Sequence, residues 1–344
     1  MKITNIKTEV KQIELKTPFK TALRTATHVE FVRVFVQTQN GFVGIGEAPA
    51  TKAITGEGIE DILHSIGTVQ ELFLGLETEE VLEKLHATKI GSSAKAALDI
   101  AFVHLLSLEA KKSFYDYFGG ADVTPLQTDV TISLNESAVM LHDAKKAFDE
   151  GMVLLKVKVG SDVLHAVDVV RAIAKELPSA KIFVDANQAW SVEDSEFFIA
   201  NMFDGAIELI EQPVVASDLD GLKKITEISH IPILADEAAF TLEDVKKVVV
   251  SKSADMINIK FMKCGGVSKA IEILEYARAQ KVPCMLGSML EGPYSINMAL
   301  HLAFAYRDVI KYIDLDSPLL YKEMPSELDF EFSGCDISLK TNLL

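Results

Sequence analysis

From Pro125 onward the chain repeats one unit, a short apolar run followed by an amphipathic stretch. The runs are TDVTIS, VLLKVKV, KIFVDA, AIELIE, IPILAD, DMINIK, VPCMLG and KYIDLD. Between them lie stretches such as VLHAVDVVRAIAKEL and VSKAIEILEYARAQ, whose apolar residues recur at helical spacing. Strands that alternate with helices pair in parallel through right-handed crossovers. Eight such runs imply a closed β/α barrel, with an open doubly wound sheet as the alternative.

The chain before Pro125 has a different rhythm. ITNIKTEVKQIEL and EFVRVFVQTQ alternate apolar and polar residues, and GFVGIGEA follows a turn at Asn40-Gly41. From about Ile59 to Phe118 the periodicity is helical. A meander followed by helices is the α+β pattern. We therefore expect an α+β capping domain over residues 1–124, the barrel over 125–317, and a segment from 318 to 344 that returns to the cap.

Net charge narrows the partners. A formal charge of −16 opposes binding to nucleic acid or an anionic membrane, both polyanions. No stretch is long and apolar enough to span a bilayer, and the first residues lack the apolar centre of a signal peptide. Cys264, Cys284 and Cys335 are too scattered for a disulfide framework and are read as reduced thiols of a cytoplasmic protein.

Chemistry gathers at the C-terminal ends of the strands, where a barrel opens its mouth. Asp185, Glu211 and Asp236 end three consecutive strands, 26 and 25 residues apart. Three converging carboxylates repel one another unless a cation lies between them. Oxygen-only ligands suit a hard ion such as Mg²⁺. Lys156 and Lys158 lie two apart on one strand and point into the lumen together. Lys260 arrives from beyond the fifth strand. Such surroundings are expected to bring a lysine towards neutrality, as a base requires. A cation that stabilises an enediolate, with a lysine on each side of the carbon, suits racemisation or epimerisation.

These residues resemble the enolase superfamily, and within it the muconate-lactonising-enzyme subgroup. The resemblance rests on Lys156-Val157-Lys158, Asp185-Ala186-Asn187, Glu211-Gln212-Pro213, Asp236-Glu237 and Lys260. It implies an α/β fold, a modified (β/α)7β barrel under an α+β cap. It also implies Asp185, Glu211 and Asp236 as ligands of one Mg²⁺, Lys158 and Lys260 as the acid/base pair, and Lys156 as a carboxylate holder. Asp314-Leu315-Asp316 is similar to the Asp-x-Asp motif of the dipeptide epimerases, which receives an α-ammonium group. Pro18 to Thr25, PFKTALRT, resembles a cap loop whose Arg, here Arg24, grips a side-chain carboxylate. Ile54-Thr55-Gly56 resembles a second closing loop. Thr131, Ser288 and Met289 match positions near the substrate, whereas Ala238 stands where many relatives have Ser.

The implied substrate is a small dipeptide, L-Ala-D/L-Glu, in a role suited to murein-peptide recycling, with a homo-oligomer as the expected assembly. Lactone opening, o-succinylbenzoate synthesis and N-acylamino-acid racemisation are the rival reactions on this scaffold. A barrel that only binds a ligand is the rival from another class. Gly41-x-x-Gly44-x-Gly46 has the wrong spacing for a dinucleotide loop.

Overall fold

The computed structural model describes residues 1–21, 25–202 and 205–340. Three strands open the chain: β1 (Ile3–Lys20), β2 (Thr25–Thr38) and β3 (Val43–Pro49), paired antiparallel in that order. Pro18 and Lys20, expected in a loop, extend β1 instead. The β1–β2 register shifts between Glu14 and Phe19, which accommodates a proline in the strand.

The helix Ser92–Glu109 packs on the back of this meander. Gly44 and Gly46 of β3 explain how closely. A Cβ on Gly44 would lie 2.1 Å from the Ala101 carbonyl oxygen, and one on Gly46 would lie 2.0 Å from that of Ala97. The glycine pattern is therefore a packing device between strand and helix, not a phosphate loop.

β4 (Leu126–Gln127) leads into the barrel. Its eight parallel strands are β5 (Val130–Ile132), β6 (Leu154–Lys158), β7 (Lys181–Asp185), β8 (Ile207–Glu211), β9 (Ile233–Ala235), β10 (Met256–Ile259), β11 (Cys284–Gly287) and β12 (Ile310–Asp314). All eight fall on the apolar runs. The first and last strands meet through one parallel bridge, Thr128 to Ile313, so the barrel is nearly closed. Val157 and Val184 face outward onto the helices, in the main core. Leu154, Phe183, Leu209, Leu234, Met256, Met285 and Tyr312 form a separate apolar cluster inside the barrel floor.

After the barrel, Tyr321 bridges to Leu15 of β1, and the Lys322 amide donates to the Glu14 carbonyl. The chain then forms the hairpin β13 (Phe330–Ser333) and β14 (Asp336–Leu339), and β14 pairs with β4. The cap is tied to the barrel by buried polar contacts. Glu47 accepts from the Tyr294 and Ser295 amides at 2.8 and 3.3 Å, at the N-terminus of the helix Pro293–Ala305. A carboxylate suits the positive end of a helix. Arg33 holds the same carboxylate at 2.7 Å. On the other flank, Asp99 of the cap receives the Ser268 amide at 3.0 Å and lies 2.8 Å from His86.

Candidate active site

One cavity opens at the C-terminal mouth of the barrel. Lys158, Asn187, Asp236, Lys260, Ser288, Met289, Asp314 and Asp316 line it from the barrel, with Thr131 from β5. The cap covers it with Phe19, Thr21 and Ile54. Strand alternation explains the convergence, since lumen-facing residues recur every second position. Lys156 and Lys158 are both buried on one face of β6, and Asp185 and Glu211 are the last residues of β7 and β8. Asp236 and Lys260 stand one residue past β9 and β10. Ile54, expected in a loop, lies on a short helix, Lys52–Thr55. Arg24 lies outside the described residues.

β6 and β10 are four steps apart in a ring of eight strands. Lys158 and Lys260 therefore approach the cavity from opposite sides. Lys158 Nζ lies 2.5 Å from Asp185 Oδ2, and Lys260 Nζ lies 2.8 Å from Asp236 Oδ2. Lys156 Nζ bridges Asp314 at 2.6 Å, Glu211 at 2.7 Å and Asp185 at 3.3 Å.

These pairs correct one expectation. Burial disfavours the charged form of Lys260, yet Asp236 and Glu211 outweigh it and hold the ammonium above the usual lysine range. Burial also opposes Lys156, but Asp314, Glu211 and Asp185 raise it well above. Close carboxylates stabilise the ammonium form more than desolvation disfavours it. Burial works against the carboxylate of Asp236 as well, but Lys260 and Lys263 together drive its value down. Burial and the neighbouring Asp236 push Glu237 up to about 8.

The predicted ligands are each turned onto a lysine. Among the described residues, the acids whose ligand oxygens lie within 4.8 Å of one another are Asp129, Asp314 and Asp316. The surroundings of Asp185, Glu211 and Asp236 nevertheless fit a hard cation. Buried oxygens without a hydrogen-bond donor lie there: Asn187 Oδ1, Glu237 Oε2 and Asn258 Oδ1. Charge is short in the same sense. Asp129, Asp185, Glu211, Asp236, Glu237, Asp314 and Asp316 are buried, against Lys156, Lys158, Lys260 and Lys263. Among the described residues these acids exceed the lysines by three, and burial with mutual repulsion holds Glu237 and Asp129 protonated, a strain that a bound cation would relieve.

Three residues escaped the sequence reading. Asp129 stands two before Thr131, so strand alternation would have placed it on the lumen face. Asn258 holds the same position relative to Lys260, and its side-chain amide donates to Glu211 Oε1 at 2.8 Å. Lys263 reads as a surface lysine, but it donates to Asp236 Oδ1 at 2.5 Å and to the Asn258 carbonyl at 2.7 Å. Only the short helix Phe261–Cys264 turns it inward. Trp190 has a packing role: it stacks near Phe198 and its indole N–H donates to the Gly160 carbonyl at 2.9 Å.

Comparison with known proteins agrees along the whole chain. Residues 3–119 match the N-terminal domain family of mandelate racemase and muconate lactonizing enzyme. Residues 139–341 match the family described as enolase C-terminal domain-like. The L-amino acid-D/L-Glu epimerase of Sulfurimonas denitrificans is 72% identical over 338 residues, covering 98% of this chain and 99% of that protein. The substrate-liganded L-Ala-D/L-Glu epimerase of Bacillus subtilis superposes with a TM-score of 0.92 at 37% identity, covering 98% of this chain and 96% of that one. The dipeptide epimerase of Enterococcus faecalis, complexed with Mg and the dipeptide L-Leu-L-Tyr, has a TM-score of 0.91 at 33% identity, with coverages of 98% and 97%.

Proposed function

Because this chain belongs to the enolase superfamily, in the branch of mandelate racemase and muconate lactonizing enzyme, we propose that it is a Mg²⁺-dependent dipeptide epimerase. It inverts the α-carbon of the C-terminal residue of a dipeptide such as L-Ala-D/L-Glu. The observation that carries the reading is the pair of lysines opposed across one cavity, Lys158 and Lys260. A binding barrel has no need of two bases facing each other.

Asp185, Glu211 and Asp236 would hold the ion. When bound, Mg²⁺ would supply the positive charge that makes an enediolate accessible and would offset the carboxylates that hold Lys156 and Lys260 protonated. The residues of the chain do the rest. One lysine Nζ, as the free amine, takes the α-proton from one face, and the electron pair of the C–H bond moves into the carboxylate. The opposite lysine, as the ammonium, returns a proton to the other face. Each catalyst ends in the other's starting state, so the reverse epimerisation begins at once. Lys156, held between Asp314 and Glu211, adds fixed positive charge beside the developing enediolate.

Asp314 and Asp316 line the cavity and suit the α-ammonium of the first residue. Thr131, Ser288 and Met289 would border the peptide. Arg24 would pair with an anionic second side chain, a specificity that rests on the sequence pattern alone. We further assign the chain to the cytoplasm, in peptide recycling; among the described residues no helix is long and apolar enough to cross a membrane. The test is conversion of L-Ala-L-Glu to L-Ala-D-Glu with Mg²⁺, with an N-succinyl amino acid as comparator. Turnover of the N-succinyl compound with none of the dipeptide would replace this reading by N-acyl racemisation.

A further inference from the structure

Asp129 is a buried acid that nothing in the proposed reaction uses. It precedes β5, has no exposed surface, and neither carboxylate oxygen has a hydrogen-bond partner. Its carboxylate faces Asp314 and Asp316 within 4.8 Å. Asp316 accepts the Thr131 amide at 2.8 Å, and Asp314 meets Lys156. Lys156 is the cation that favours ionisation of Asp129, and it is shared with Glu211 and Asp185. Asp129 therefore depends on a lysine already shared among three other acids, Asp314, Glu211 and Asp185. Burial and the charge of Asp314 push Asp129 well above the usual carboxylate range, and the same causes lift Asp316 to about 6.

We propose that Asp129 is a positioning residue of the ammonium site, a third carboxylate that tunes Asp314 and Asp316 for a primary ammonium without touching it. This rests on the dipeptide reading above. Asp314 and Asp316 line the cavity, whereas Asp129 lies behind them with no surface towards it. Held protonated by burial and by Asp314 in the ligand-free site, it can ionise when an ammonium arrives, adding a third negative charge behind the pair. A nearby negative charge in a dry interior strengthens attraction for a cation well beyond its value in water. Asp129 thus acts on affinity for the amino terminus and not on the proton transfers, which occur at Lys158 and Lys260.

The experiment compares the native protein with Asp129→Asn and Asp129→Ala. Two ligands are used: L-Ala-L-Glu, and N-propionyl-L-Glu, which has the same shape without the ammonium. Native turnover of L-Ala-L-Glu tests the function first; its absence sinks that reading and this inference with it, before any variant is made. Both variants should raise KM for L-Ala-L-Glu roughly tenfold and leave kcat within about threefold. The inhibition constant of N-propionyl-L-Glu should stay within about twofold. The ligand-free Asn variant should unfold within roughly 2 °C of the native protein, because the protonated acid and the amide are both neutral. A purely structural acid would lower the unfolding temperature and reduce kcat. Equal losses for both ligands, or a changed Mg²⁺ requirement with KM unmoved, would overturn the proposal. So would a normal KM in Asn with a raised one in Ala, since that would make shape and not charge the cause.

Discussion

The barrel floor is filled by Leu154, Phe183, Leu209, Leu234, Met256, Met285 and Tyr312. Two residues further along the same strands stand Lys156, Asp185, Glu211, Asp236, Asn258, Gly287 and Asp314. Strand alternation sends both sets into the lumen. The two layers therefore share backbone, direction and burial and differ in chemistry alone. The floor removes apolar surface from water, which is the main favourable term in folding. The layer above gathers acids in excess of lysines, which opposes folding unless cations complete it. Stability and function are thus separated by one strand repeat, and substitutions in each layer should have different signatures.

Metal removal should show the largest effect. Chelation should lower epimerisation by about three orders of magnitude, and Mg²⁺ should restore it, because the charge that stabilises the enediolate is worth several kcal/mol. Thermal unfolding followed beside the activity assay should shift down only modestly, since the floor and the outer core hold the fold while the ion relieves the acids above them. Full activity after thorough chelation would remove the metal site from the account.

Next comes a pair of substitutions on β8. Leu209→Ala in the floor should cost about 2–5 kcal/mol of stability through lost burial and a residual cavity. Glu211→Gln in the layer above should abolish turnover yet leave unfolding unchanged or slightly later. Denaturant titration and initial rates on both proteins give the four numbers needed. Equal destabilisation by the two changes would dissolve the distinction between layers.

The smallest effect concerns pH at the joint above the mouth. Glu291 accepts from the Met289 amide at 2.8 Å and from the Ser295 hydroxyl, so it braces the loop that carries Ser288 and Met289. Burial pushes its carboxyl up from 4.5 to about 7. Between those values the unfolded chain is the more ionised state and binds fewer protons. The stability contribution is therefore complete below about pH 4.5 and lost as pH rises through about 7. Glu291→Gln should flatten this part of the stability profile. A variant with the native slope between pH 5 and pH 8, read by thermal unfolding, would assign the dependence elsewhere; Glu47, pushed by burial to about 7, is the other candidate.

Much of this was legible before any coordinates. The eight strands, the acids at the ends of β7, β8 and β9, and both lysines of β6 follow from period-two patterning and one repeated position. What was not legible depended on neighbours distant in sequence. The roof formed by Phe19, Thr21 and Ile54 exists only once the cap docks. Lys263 becomes part of the site because a four-residue helix turns it under Asp236. The direction of the lysine shifts was misread for the same reason. Burial alone would make Lys260 a weaker cation, but its distance to Asp236, 2.8 Å, reverses the sign. Asp129 carried a readable signal, its spacing from Thr131, but one acid before a strand looks like any solvated loop residue.

Placed on opposite sides of one cavity, Lys158 and Lys260 should act on opposite faces of one α-carbon. The direct measurement is α-proton exchange in D₂O, followed by NMR, for L-Ala-L-Glu and L-Ala-D-Glu with the native protein, Lys158→Ala and Lys260→Ala. The native protein should exchange both epimers, and each variant should lose epimerisation by at least roughly 10³-fold. Each variant should retain exchange on one epimer, and the retained epimer should differ between the two. Retention of the same epimer by both variants, or epimerisation at the native rate by either, would contradict action on opposite faces.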